Sequence, residues 1–202
     1  MKHYLELNSG DSQALIIRHG EREPITTSDT VWHAKLTGQG KLDAVEFGKT
    51  LHPLKPAALY SSPIPRCIDT ASSIVKGCNV ELFEIVPERM LLEAYIKDGK
   101  LAETQFKTRD PYELILDQLE RKDIPGFYTV EEGSVRLLNY IKKVMVKGKL
   151  TIFVTHDAIL MPFKAHFLNR KYNKEDWFPF LGNASVRIDK DGNTFINNTP
   201  IS

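Results

Sequence analysis

The chain has 202 residues, 42% of them hydrophobic, which suffices for one well-buried core and is short for two. Its 27 basic and 26 acidic side chains leave a net charge of +1, which excludes a general attraction to nucleic acid or to an anionic membrane while permitting a local basic pocket. Cys67 and Cys78, separated by ten residues, form neither a disulfide framework nor a zinc motif, and no run approaches the roughly 20 apolar residues of a membrane span.

At the start, Met1 to Leu7 mixes Lys2, His3 and Glu6 with apolar residues and lacks the apolar region of a secretory signal, so a reducing cytoplasm is the expected location. Ala14-Leu15-Ile16-Ile17 is a short apolar run of the kind that forms a strand covered on both faces, and it ends in Arg18-His19-Gly20. From Thr37, apolar residues Ala44, Phe47 and Leu51 recur at helical spacing. A second strand, Ala57-Ala58-Leu59-Tyr60, ends in Ser61-Ser62-Pro63, and Pro65 then opens a helix with Ile68, Ala71 and Val75 on one face.

Val80 to Val86 reads as a strand, but Met90 to Thr108 has no clean period, so residues 80–109 are expected to form a loop-rich lid or insertion. Asp110-Pro111-Tyr112-Glu113 supplies an N-cap, an N1 proline and an N3 glutamate for a helix to about Glu120. Thr129 and Glu132 form a capping box before Val135, Leu138, Ile141 and Met145. A third strand, Leu150 to Val154, ends in Thr155-His156-Asp157, and Ser185 to Ile188 with Thr194 to Ile196 flank the turn residues Asp191-Gly192 of a hairpin. Strands linked by helices predict an α/β fold, a single three-layer domain over residues 1–202 with a mostly parallel central sheet flanked by helices. The three polar strand ends then share the carboxyl edge, where open α/β sheets bind ligands.

Arginine presents permanently charged planar donors that match phosphate oxygens, and imidazole is a nucleophile whose charge changes near neutral pH. Arg18 and Arg66 would define a phosphate site, and His19 and His156 would supply a nucleophile and a charge stabiliser. Metal ligation by His19, His156, Asp157 and Glu93 ranks last, because two neighbouring arginines repel a cation. Gly48-Lys49-Thr50 resembles the end of a phosphate-binding loop but lies within a helix and lacks the earlier glycine. Neither cysteine has an arginine six residues on, and Ser61 and Ser62 lack a nucleophile elbow, so they are expected to shape the loop that presents Arg66. His3, His33, His52 and His166 carry no motif, and the apolar segment Trp177-Phe178-Pro179-Phe180 is expected to pack in the core or to line a pocket mouth.

The blocks Leu15 to Glu21, Leu36-Thr37-Gly38-Gln39-Gly40, Tyr60 to Ala71 and Val154 to Asp157, in this order, resemble the histidine phosphatase superfamily, which includes the cofactor-dependent phosphoglycerate mutases. The resemblance implies a phosphoglycerate mutase-like fold and a phosphatase that needs no metal or cofactor and acts on a small phosphorylated substrate. It implies that His19 takes the phosphoryl group and that Arg18, Arg66 and His156 hold its oxygens. The general acid is either Glu93, favoured by its order along the chain, or Asp157, beside His156 as in the acid-phosphatase branch. Glu21-Arg22-Glu23 departs from the mutase pattern and sets mutase activity in doubt; Arg22 adds a cation to the site or sits in a solvated turn. A protein phosphohistidine phosphatase with an open site and a non-catalytic phospholigand-binding module are the alternatives.

Overall fold

The computed structural model describes residues 10–25, 30–80, 84–120, 122–175 and 177–201, so the reading of Met1 to Leu7 and the middle of the Val80 segment lie outside the described residues. The first run forms β1 (Ser12–Arg18), followed by the short helix α1 (Thr30–His33), α2 (Gly38–Leu51), β2 (Ala58–Ser61) and α3 (Pro65–Cys78). Next come β3 (Ile85–Pro87) and the helices α4 (Met90–Glu93), α5 (Gly99–Thr108), α6 (Pro111–Leu119) and α7 (Val130–Val144). The chain continues through β4 (Leu150–Thr155), α8 (Asp157–Leu168), β5 (Asn183–Ile188), β6 (Thr194–Ile196) and β7 (Thr199–Ile201).

The strands form one sheet in the order β3-β2-β4-β1-β5-β6-β7. β3, β2, β4 and β1 run parallel, and β5, β6 and β7 are added antiparallel, each to its neighbour. Arg18 pairs with Thr155 and Ser61 with Val154, so the three predicted strand ends do lie side by side. Alternation along β1 divides the core, because successive side chains of a strand point to opposite faces. Ala14 and Ile16 pack with Phe153, Leu137, Ile141 and Phe163 under α7 and α8. Leu15 and Ile17 pack with Leu59, Phe47, Leu51 and Ile74 under α2 and α3. The result is a three-layer α/β domain.

The expected caps are present: Thr129 and Glu132 close the capping box of α7, and the Asp110 carboxylate accepts from the Tyr112 and Glu113 amides at the start of α6. Gly48 serves helix packing, because a Cβ there would lie 2.2 Å from the Ile74 carbonyl oxygen of α3. The C-terminal hairpin forms as β5 and β6, and β7 extends it with Pro200 on the edge strand, where a missing amide costs no ladder bond.

Residues 80–109 differ from the expected loop-rich lid. They hold β3, α4 and a capped ten-residue helix α5, in which the Asp98 side chain accepts from the Lys100 and Leu101 amides. Only Ala102 of α5 is buried, because the helix turns its apolar side to a cavity instead of the core, and the usual core period is therefore missing. No helix among the described residues is long and apolar enough to cross a membrane.

Candidate active site

The residues just past β1, β2 and β4 form the floor of a cavity of about 210 Å³. His19 follows β1 and is anchored through its amide to the Thr155 carbonyl at 2.9 Å. The turn after it packs on the first turn of α2 so closely that a Cβ on Gly40 would lie 2.2 Å from the Glu21 carbonyl oxygen. Thr37 caps that turn, accepting from the Gly40 amide at 2.9 Å and donating to Glu21 Oε2 at 2.6 Å. Thr70 of α3 accepts from the Gly20 amide at 3.0 Å and donates to the Arg66 carbonyl at 2.7 Å. The separate sequence blocks are thus parts of one scaffold that fixes the His19 backbone.

The His19 Nδ1–H donates to the Gly20 carbonyl at 2.8 Å, which leaves Nε2 unprotonated, and the Arg66 Nε–H donates to that lone pair at 3.1 Å. Arg66 also donates from NH1 to the Val31 carbonyl at 2.7 Å and from NH2 to His156 Nδ1 at 3.2 Å. His156 then carries its proton on Nε2 and donates to Ser62 Oγ at 2.8 Å. The two imidazoles meet edge to face, their centroids 5.4 Å apart. Ser62 therefore orients His156 as well as shaping its loop, a role its hydroxyl type alone did not reveal. The buried Cys67 thiol, 3.5 Å from the same His156 nitrogen, is pushed up to about 12 by burial and stays protonated.

Arg66, His19, His156 and Asp157 line the cavity floor, whereas Arg18 sits behind it. The Arg18 guanidinium pairs with Asp157 Oδ2 at 2.6 Å, donates to the Phe178 carbonyl and lies 4.2 Å from the centroid of the Phe180 ring. Trp177 donates its indole N–H to the same carboxylate oxygen at 2.9 Å and lines the cavity. The segment from Trp177 to Phe180 thus divides its work: Phe178 is core, Trp177 and Phe180 serve the site. Asp69, three residues after Arg66 on α3, faces Lys41 at 3.8 Å. Glu93 at the end of α4 lines the cavity and is held bidentately by Arg89, with contacts of 2.6 and 3.1 Å. Arg22 also lines it, donating to the Tyr112 hydroxyl at 3.1 Å. Of the motif-free histidines, His33, His52 and His166 are absent from the cavity lining. Among the described residues no three His, Cys, Asp or Glu side chains converge as metal donors.

Residues 14–194 match the histidine phosphatase superfamily (branch 1). The chain belongs to that superfamily. Over 178 residues it is 24% identical to a 2,3-bisphosphoglycerate-dependent phosphoglycerate mutase of Thermoplasma acidophilum, covering 87% of this chain and 85% of the relative. Over 177 residues it is 29% identical to a metal-independent phosphoserine phosphatase of Arabidopsis thaliana, covering 77% and 68%. Its fold is phosphoglycerate mutase-like: the phosphoglycerate mutase structure from Bacillus anthracis superposes with a TM-score of 0.62 at 16% identity, covering 93% of this chain and 92% of that one.

The charge states of the floor follow from burial and neighbours. Burial, reinforced by the Arg66 guanidinium, depresses the His19 imidazolium to about 3, and burial, Arg66 and His19 hold His156 well below the usual histidine range. Burial alone would raise the Asp157 carboxyl, but Arg18, His19 and the Trp177 indole outweigh it and bring it down to about 2. An unfolded histidine protonates near pH 6.5, so between there and about 3 protons bind preferentially to the unfolded histidine phosphatase. Stability from these histidines is fully present above pH 6.5 and is lost as pH falls. Equilibrium denaturation between pH 4.5 and 6.5 is expected to show a shallower pH slope in His156→Gln than in the wild type, by up to about 1.4 kcal/mol per pH unit. Equal slopes would show that His156 titrates normally in the folded protein.

Proposed function

We propose that this histidine phosphatase hydrolyses phosphomonoesters without a metal, through a phosphohistidine on His19. The observation that carries this reading is the state of the His19 ring: Nδ1–H is committed to a backbone carbonyl and Nε2 faces Arg66 at the cavity floor with its lone pair in place. In the proposed cycle the Nε2 lone pair attacks phosphorus, an N–P bond forms, and the P–O bond to the alcohol breaks. The alkoxide takes a proton from a carboxylic acid. Water then attacks phosphorus, gives that proton back to the carboxylate and frees His19.

Arg66 and His156 line the cavity and are the nearest donors for the phosphoryl oxygens, with Arg22 adding charge from the wall. Arg18 stands behind the floor, where its guanidinium holds the Asp157 carboxylate, so its part in this reading is to anchor the floor through Asp157. The recessed floor, with His19 1% and His156 5% exposed, favours a small ester over a phosphorylated protein side chain. The direct test is release of phosphate from an aryl ester in the presence of a strong chelator. Tight phosphate binding with no turnover across a broad panel would support the binding-module alternative.

For the proton donor we assign Glu93. Asp157 is locked as a carboxylate inside the fold by Arg18 and Trp177, whereas Glu93 lines the cavity and its partner Arg89 lies in solvent, where an ion pair is weak. Glu93→Gln is expected to lower kcat on an alkyl phosphate by about 10²-fold or more and to have far less effect on p-nitrophenyl phosphate, whose leaving group needs no proton. Asp157→Asn is expected to raise KM for both esters alike by releasing Arg18. Comparison of kcat and KM for the two esters decides: the leaving-group dependence appearing in Asp157→Asn instead would move the role to Asp157.

A further inference from the structure

The cavity extends from the phosphate floor between α5, which buries only Ala102, and one face of α6, whose other face packs Leu114 and Leu119 inward. α5 turns Gly99, Ala102, Glu103 and Phe106 toward it, at the three- and four-residue steps of one helical face. α6 contributes Pro111, Tyr112 and Ile115 in the same way. Opposite them stand Ile25, Val31 and Trp32, with the Trp32 and Phe106 rings edge to face at 6.4 Å. Trp32 and Tyr112 remain 40% and 38% exposed, so aromatic surface is left at the cavity with no packing partner to cover it fully.

The polar inventory is as telling. Among the described residues that line the cavity there is no Ser, Thr, Asn, Gln or Lys. A sugar or polyol phosphate would find partners for its hydroxyls at Arg22, Glu93, Glu103 and Tyr112 but would set the rest against apolar side chains, and unpaired buried polar groups are costly. A phosphorylated glycerate or amino acid brings a carboxylate, which would meet Arg22 on the wall but also the like charge of Glu103. An apolar group meets neither penalty. An apolar cavity of about 150 Å³ takes up benzene, so the roughly 210 Å³ here suits a ring-sized group.

We infer that the alcohol leaving this site is apolar, so that the substrates are phosphomonoesters of aromatic or bulky aliphatic alcohols. This inference rests on the phosphatase reading above and names its substrate class. The test uses primary esters of similar leaving-group acidity: ethyl, hexyl and 3-phenylpropyl phosphate, with glycerol phosphate, phosphoserine and 3-phosphoglycerate as polar counterparts. The expected kcat/KM for 3-phenylpropyl phosphate exceeds that for ethyl phosphate and each polar ester by about 10²-fold. In Phe106→Ala the phenylpropyl-to-ethyl ratio is expected to fall about tenfold. Calorimetric binding of 3-phenylpropylphosphonate and ethylphosphonate to the wild type provides a readout that needs no turnover. Turnover without preference overturns the inference and leaves the phosphatase reading standing. Preferential binding of the apolar phosphonate with no ester hydrolysed supports the ligand class and removes the phosphatase reading. Equal or absent binding of the two phosphonates overturns the inference.

Discussion

In the His19→Ala variant, hydrolysis of an aryl phosphate with chelator present is expected to fall by about 10⁴-fold or more. The substitution removes the His19 Nε2 lone pair, to which the Arg66 Nε–H donates at the cavity floor, so neither the N–P bond nor the second step can form. Rapid quenching of the wild type is expected to trap an acid-labile phosphoenzyme that the variant lacks. Unfolding does not account for such a loss. The variant leaves one buried Arg66 donor without its acceptor, a cost of about 1–3 kcal/mol, while Arg66 keeps the Val31 carbonyl and His156. That is less than the roughly 5–15 kcal/mol by which domains are ordinarily stable, and a retained cooperative thermal transition checks it. Activity within tenfold of the wild type in His19→Ala would overturn the phosphohistidine assignment.

Arg66→Lys is expected to cost about 10²- to 10³-fold in kcat although it keeps the charge. One guanidinium here reaches three partners, with Nε at His19, NH1 at the Val31 carbonyl and NH2 at His156. A lysine ammonium is a point charge on a flexible stem and cannot span two imidazoles and a carbonyl with that fork. Vanadate, which mimics the crowded phosphoryl transition state, is expected to lose affinity more than inorganic phosphate does. Should Arg66→Lys retain activity within a few-fold, charge alone would explain the contribution of Arg66, and its fork geometry would not matter. Arg66→Ala then serves as the reference for loss of both.

The parts of the site that were legible are those whose residue types have local causes. Arg18, His19, Arg66 and His156 each end a strand or open the helix after it, and apolar runs that stop in charge mark strand ends without knowledge of the partners. The capping residues Asp110, Thr129 and Glu132 were readable for the same reason, since a cap acts on amides two or three residues away. Ser62 as the support of His156 was not legible, because the bond spans 94 residues. Nor was the pairing of Arg18 with Asp157, which changes the meaning of both. Arg18, expected among the phosphate donors, becomes a residue behind the floor, and Asp157 becomes a permanent anion. The signal that could have found α5 was the spacing of Gly99, Ala102, Glu103 and Phe106, which is helical but mixed in polarity.

By itself the sequence determined β1, α2, β2, α3, α6, α7, β4 and the β5–β6 hairpin in their order, with the caps and the residues at the carboxyl edge, because propensity, periodicity and capping act over a few residues; α4, α5 and α8 are not marked in it. The tertiary structure decided which imidazole nitrogen bears the proton, that Asp157 is paired inside the fold while Glu93 lines the cavity, and that apolar residues from 25 to 177 surround that cavity. Those properties depend on distances between segments far apart in the chain and on the burial that shifts their charge states, and both exist only after the layers have packed.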